Sequence, residues 1–162
     1  MLSTLAPSQA HALLSESRAL GFESLHTGET LRTIYFSEGR YVPEALNEVN
    51  ALLRDFRTGD VFPMDTRLLD LLYGLSALTG GRHPFQVISG YRSPATNQSL
   101  RRQSIGVAHG SLHLQGKAID IRLPGVPLAN LRDAAQAMRI GGVGYYPASD
   151  FVHVDTGRIR AW

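Results

Sequence analysis

Apolar positions recur along this chain at two periods, and the places where one gives way to the other divide it into elements. Between Leu25 and Tyr35 the alternation of Leu31, Thr33 and Tyr35 around Thr27-Gly28 predicts a strand pair joined at a tight turn. From Pro43 to about Arg57 the spacing changes. Ala45, Leu46, Val49, Leu52, Leu53 and Phe56 recur at three- and four-residue intervals, which puts them on one face of a helix. Asp65 stands at an N-cap position ahead of Leu68, Leu69, Leu71, Leu72, Leu75 and Leu78, and Gly80-Gly81 stops that second helix. Phe85 to Ser89 predicts a strand, and Ser93-Pro94 opens a short helix with a cap and a first-turn proline. Pro127 to Met138 predicts a further amphipathic helix that ends before Gly141-Gly142.

Two later segments return to period two. In Ala118 to Leu123, Ile119, Ile121 and Leu123 face the core and Asp120 the other side. In Asp150 to Asp155, Val152 and Val154 share one face while Phe151, His153 and Asp155 share the other. The strands carrying Asp120 and His153 flank a helix in sequence. The order predicts an α+β fold with helices packed against a central, largely antiparallel sheet. With 162 residues, 43% of them hydrophobic, the chain can bury one core. We expect residues 1–20 to form a flexible lead-in and 21–162 a single domain.

Composition narrows the functional classes. A formal charge of only +2 argues against a nucleic-acid partner, which needs a concentrated basic patch. No apolar run approaches the ~20 residues of a membrane span. The absence of cysteine removes disulfides and thiolate metal ligands. Met1 to Ala12 ends in an A-x-A-like pattern but lacks the basic start and apolar stretch of an export signal.

The chemistry is concentrated in Ser111-Leu-His113-Leu-Gln-Gly116-Lys-Ala118-Ile-Asp120. An extended chain would hold His113 and Asp120 roughly 23 Å apart at ~3.3 Å per residue. Both reach one metal only if the chain reverses between them, most easily at Gly116. His153, on a strand face it shares with Asp155, offers a second imidazole. Two histidine nitrogens, one carboxylate oxygen and an open fourth position suit a catalytic zinc, whereas a closed structural site would want another protein ligand.

The S-x-H-x-x-G-x-A-x-D pattern is matched at every fixed position by Ser111, His113, Gly116, Ala118 and Asp120, with a strand histidine downstream. It resembles the M15 zinc peptidases, which include D-alanyl-D-alanine carboxypeptidases, VanX-type dipeptidases and several phage endolysins, and which share a metal scaffold with the hedgehog domain. Leu25 to Glu29, Ser89 to Pro94, Gly141 to Pro147 and Phe151 to Gly157 are similar to the YcbK-like branch of murein endopeptidases.

The resemblance implies one zinc ion held by His113, Asp120 and His153. It implies that Arg92 polarises the scissile carbonyl or steadies the oxyanion, as a guanidinium aimed at developing negative charge can. For the general base two carboxylates compete. Asp150 fills the slot three residues before the last zinc histidine, and Asp155 lies on the same strand face as His153. The implied activity is that of a peptidoglycan hydrolase, an endopeptidase that opens stem-peptide cross-links at the diaminopimelate–D-Ala bond with metal-activated water, in the periplasm or cell envelope. The alternatives are a D-Ala-D-Ala carboxypeptidase or dipeptidase, and a zinc-containing wall-binding module without catalysis.

Overall fold

The computed structural model describes residues 16–103 and 110–162. Strands β1 (Arg18–Ser24), β2 (Thr30–Ser37) and β3 (Arg40–Tyr41) are followed by helices α1 (Pro43–Leu52) and α2 (Thr66–Thr79). Next come β4 (Phe85–Ser89), α3 (Pro94–Gln103), a 3-10 turn at Leu112–Gln115, β5 (Ala118–Arg122) and α4 (Leu128–Met138). The chain ends with β6 (Gly142–Tyr146), a 3-10 turn at Pro147–Ser149, β7 (Phe151–Asp155) and β8 (Arg160–Ala161). The strands form one sheet in the order β3-β2-β1-β4-β5-β7-β6-β8. Only β1 with β4 and β6 with β8 run parallel, so the α+β class and the largely antiparallel sheet expected from the periodicity are both present.

One face of the sheet is apolar because alternate residues point to it. Phe22, Phe85, Val87, Ile119, Ile121, Val152 and Val154 meet Leu68, Leu69, Leu72 and Leu75 of α2 and Leu131 of α4 in a single buried cluster. Each such side chain contributes about 1.5–3 kcal/mol on burial. Asp65 caps α2 as predicted, its Oδ1 accepting from Arg67 N at 3.0 Å, and Gly80 ends the helix in the left-handed conformation at φ 63°.

The structure departs from the sequence expectation at three places, and adds a strand that no periodicity announced. β1 opens at Arg18, so residues 18–20, expected in the lead-in, are paired strand; residues 1–15 of that lead-in lie outside the described residues. α1 stops at Leu52 rather than near Arg57. The buried Asp55 accepts from Arg57 N at 2.9 Å and from Ser93 N at 2.8 Å, and this partnership with a distant loop takes the chain out of the helix. Leu78 is 64% exposed, because the inward face of α2 ends at Leu75. β6 contains Gly142 and Gly144, which strand propensity disfavours, yet it pairs with both β7 and β8.

Candidate metal centre and active site

The face of the sheet away from the apolar cluster carries the chemistry. Asp120 on β5 and His153 on β7 are direct partners in the antiparallel register, so their side chains emerge side by side. His113 arrives from the 3-10 turn, and the reversal falls at Gly116, where φ is +64°. A Cβ there would lie 2.2 Å from the carbonyl oxygen of Pro63, so the turn admits glycine alone.

Three ligand atoms converge. His153 Nδ1 lies 2.9 Å from Asp120 Oδ1, His113 Nε2 lies 3.3 Å from the same oxygen, and the two imidazole nitrogens are 3.2 Å apart. All three residues are buried. Their outer partners set the tautomers. His113 Nδ1 donates to the Gly90 carbonyl oxygen at 2.7 Å, which leaves Nε2 as a lone pair. His153 stands between two carboxylates, Nε2 2.9 Å from Asp155 Oδ2 and Nδ1 2.9 Å from Asp120 Oδ1; with its proton on Nε2, held by Asp155, Nδ1 is left as a lone pair.

Two nitrogen lone pairs and a carboxylate oxygen facing one point repel one another unless a cation stands between them. The residues therefore fit a metal ion, and His113, Asp120 and His153 could hold one. The local field agrees. Burial works against the Asp120 charge, but the interactions with His113 and His153 outweigh it and hold the carboxyl well below its usual range. Burial likewise disfavours a charged His153, yet Asp120 and Asp155 on either side prevail and push its pKa up. The pocket favours positive charge.

The other predicted site residues separate into three positions. Asp155 is wholly buried behind His153, where Gly142 N, Gly157 N and the Arg160 guanidinium also donate to it. Asp150 is left-handed at φ 54° just before β7, largely exposed, and paired with Arg122 rather than with the triangle. Arg92 Nη2 lies 3.8 Å from Asp120 Oδ2, and Arg92 Nε is buried with no hydrogen-bond partner among the described residues. Burial pushes the Arg92 pKa down in spite of Asp120.

Two supports of the site carried no sequence signal. Asp55 anchors the Gly90-to-Ser93 loop through Ser93 N, while Leu53 O accepts from Tyr91 N at 2.8 Å, and together these place both Gly90 O and Arg92. Burial opposes the Asp55 charge, but hydrogen bonds from Thr96, Ser93 and Arg57 hold its pKa down to about 2. Trp162 flanks the centre from the C-terminus. Its ring lies 5.3 Å from that of His153, its Nε1 donates to Tyr146 Oη at 2.7 Å, and Tyr146 stacks on Phe151. A Cβ on Gly144 would come within 2.7 Å of the Trp162 ring, which explains the glycine in β6. A lone C-terminal tryptophan and an aspartate after a helix are too common to point to a site before the chain is folded.

An α+β domain that presents a buried His-Asp-His triangle and a neighbouring arginine on the open face of its sheet belongs to the metal-dependent hydrolase class. The family model described as "Peptidoglycan L,D-endopeptidase MepK", within peptidase family M15, matches residues 12–162. The chain belongs to this family. A relative from Escherichia coli K12, named peptidoglycan L,D-endopeptidase MepK, is 46% identical over 162 residues, covering 99% of this chain and 89% of the relative. A relative from Haemophilus influenzae, named probable peptidoglycan L,D-endopeptidase MepK, is 43% identical, covering 98% of this chain and 87% of the relative. No helix among the described residues is long and apolar enough to cross a membrane.

Proposed function

We propose that this peptidase is a zinc-dependent endopeptidase of the cell envelope that opens the stem-peptide cross-links of peptidoglycan. The observation that carries the reading is the convergence of three lone pairs from His113, Asp120 and His153, on a sheet face not covered by the core helices. Two imidazoles and one carboxylate, with no cysteine in the chain, suit zinc. A bound ion supplies Lewis acidity to water and to the scissile carbonyl. The relatives' name specifies a bond from an L-centre to a D-centre. The L-centre carbonyl of diaminopimelate offers such a bond either to D-Ala, as the sequence suggested, or to the D-centre of a second diaminopimelate.

The chain's own groups divide the remaining work. Arg92, whose Nη2 stands 3.8 Å from Asp120 Oδ2, stabilises negative charge on the carbonyl oxygen. Asp155 fixes the tautomer and orientation of His153. Asp150, on the open face, is the carboxylate we assign to accept a proton from the attacking water and pass it to the leaving amine.

Incubation of metal-loaded protein with purified cross-linked muropeptide dimers, followed by mass analysis, tests the reading against a His113→Ala control. Monomers released only with the intact triangle support it. Loss of a terminal D-alanine alone indicates a carboxypeptidase, and an untouched dimer with metal retained indicates a wall-binding module.

A further inference from the structure

At the end of β4 away from the metal centre, a cleft of about 210 Å³ opens between the start of β1, the end of α2 and the approach to β4. β4 leads from Phe85, which lines this cleft, to Ser89, one residue before the Gly90 carbonyl that holds His113. At ~3.3 Å per residue that strand separates the two regions by roughly 13 Å.

Local sequence explains the opening. Ala19 and Gly21 alternate on one face of β1 and offer a single methyl group between them, so the floor is almost bare. Arg32 is the register partner of Gly21, and its side chain emerges beside a position that has none. On the opposite wall Gly80 ends α2 in the left-handed conformation, and Ser76 Oγ donates to the Gly81 carbonyl oxygen at 3.2 Å. These two contacts pin the turn that presents Arg82 and His83.

The guanidinia of Arg18, Arg54, Arg67, Arg132 and Arg160 each pair with a carboxylate. Those of Arg32 and Arg82 line the cleft with no acidic partner among the described residues, and no carboxylate lines it with them. His83 adds an exposed imidazole that is equally unpaired among the described residues. Two like charges that share one cleft attract an anion between them. A carboxylate has two oxygens in one plane, which a single guanidinium fork saturates. Forks on two walls with an imidazole as a third donor match the several oxygens of a tetrahedral phosphate. Ile34, the register partner of Ala19, is 49% exposed at the rim and gives the esterified group an apolar neighbour.

We propose that this cleft is a second ligand site, separate from the metal centre, that binds a phosphate ester. Arg32 and Arg82 grip the phosphate oxygens, and His83 donates a third contact. The same chemistry serves a lipid headgroup and a soluble phosphate ester. Occupancy leaves the metal triangle open, and the site stands whether or not the endopeptidase reading does.

Calorimetric titration with sn-glycerol 3-phosphate, and with acetate as the competing carboxylate, tests the site in metal-loaded protein and again after chelation removes the metal. Wild type should bind one glycerol phosphate per chain in both states, about 10-fold or more tighter than acetate. Arg32→Gln and Arg82→Gln should each weaken binding roughly 10-fold with the unfolding midpoint preserved, the low end for one hydrogen bond to a charged group because both side chains are exposed. Arg101→Gln, which removes an exposed arginine of α3, should change it by less than about twofold. Sedimentation with phosphatidylcholine vesicles that carry phosphatidic acid names the source. Vesicle binding lost in Arg82→Gln assigns the site to a lipid headgroup, whereas vesicle binding that is absent or survives Arg82→Gln assigns it to a soluble ester. The proposal is overturned by an unsaturable titration in wild type, by acetate binding as tightly, by binding that disappears with the metal, or by an equal loss in Arg101→Gln.

Discussion

Replacing Asp155 by asparagine separates a carboxylate that orients a ligand from one that moves a proton. In the native protein Asp155 accepts from His153 Nε2 at 2.9 Å, Gly142 N at 3.0 Å, Gly157 N at 2.8 Å, and Arg160 Nη1 and Nη2 at 3.1 and 2.7 Å. Asparagine offers one oxygen and one amide group. If the oxygen keeps the two backbone amides, the amide group faces His153 Nε2 and Arg160 Nη2, both donors. The imidazole is then free to carry its proton on Nδ1, the nitrogen that would face a metal ion held by the triangle. Loss of such an outer partner costs about 10- to 100-fold in metal affinity, or about 1.4–2.7 kcal/mol. The metal-free domain should lose about 1–3 kcal/mol for buried donors left unsatisfied. The loss stays below that of a broken fully buried ion pair because the Arg160 side chain is 32% exposed and can turn to water. Competition against a chromophoric chelator measures the first quantity, and urea unfolding of metal-free protein the second. Metal affinity within twofold of wild type would refute the orienting role. A large fall in turnover at unchanged affinity would move the proton-transfer role to Asp155.

Three further expectations follow from the same geometry. Arg92→Gln should lower kcat by about 10²–10³ with metal affinity retained, as for removal of a donor to an oxyanion; a change confined to KM would show that Arg92 only holds the substrate. Asp55 is depressed to about 2 in the folded protein against about 3.9 in the unfolded chain. Its contribution to stability is therefore complete above about pH 4 and is lost as pH falls toward 2. The gap in unfolding free energy between wild type and Asp55→Asn should narrow over that window, and a constant gap would contradict the assignment. Gly116→Ala meets both a left-handed backbone and the Pro63 carbonyl oxygen at 2.2 Å. It should cost at least about 2 kcal/mol in urea unfolding, and a loss under about 0.5 kcal/mol would mean that the turn can relax around a methyl group.

Period and spacing by themselves determined the α+β class and the faces of β5, β7 and α2, and they singled out His113, Asp120 and His153, which the fold brings together as a group that could hold a metal ion, because alternation and turn chemistry are local properties of the backbone. Strand parity placed Asp155 beside His153 correctly, but parity says nothing of depth. Only the folded chain shows that Asp155 lies behind the imidazole, enclosed by Gly142, Gly157 and Arg160, while Asp150 pairs with Arg122 on the open face. The end of α1 was likewise illegible, since Asp55 finds Ser93 across 38 residues of sequence. Glu23, Gln86 and Arg122 line up on three strands that are all far apart in the chain, and the Trp162 wall packs on a glycine of β6. Such contacts depend on register and on which elements become neighbours. Many side chains settle those jointly when the core is buried, so they are decided by the tertiary structure and carry no local signature in the sequence.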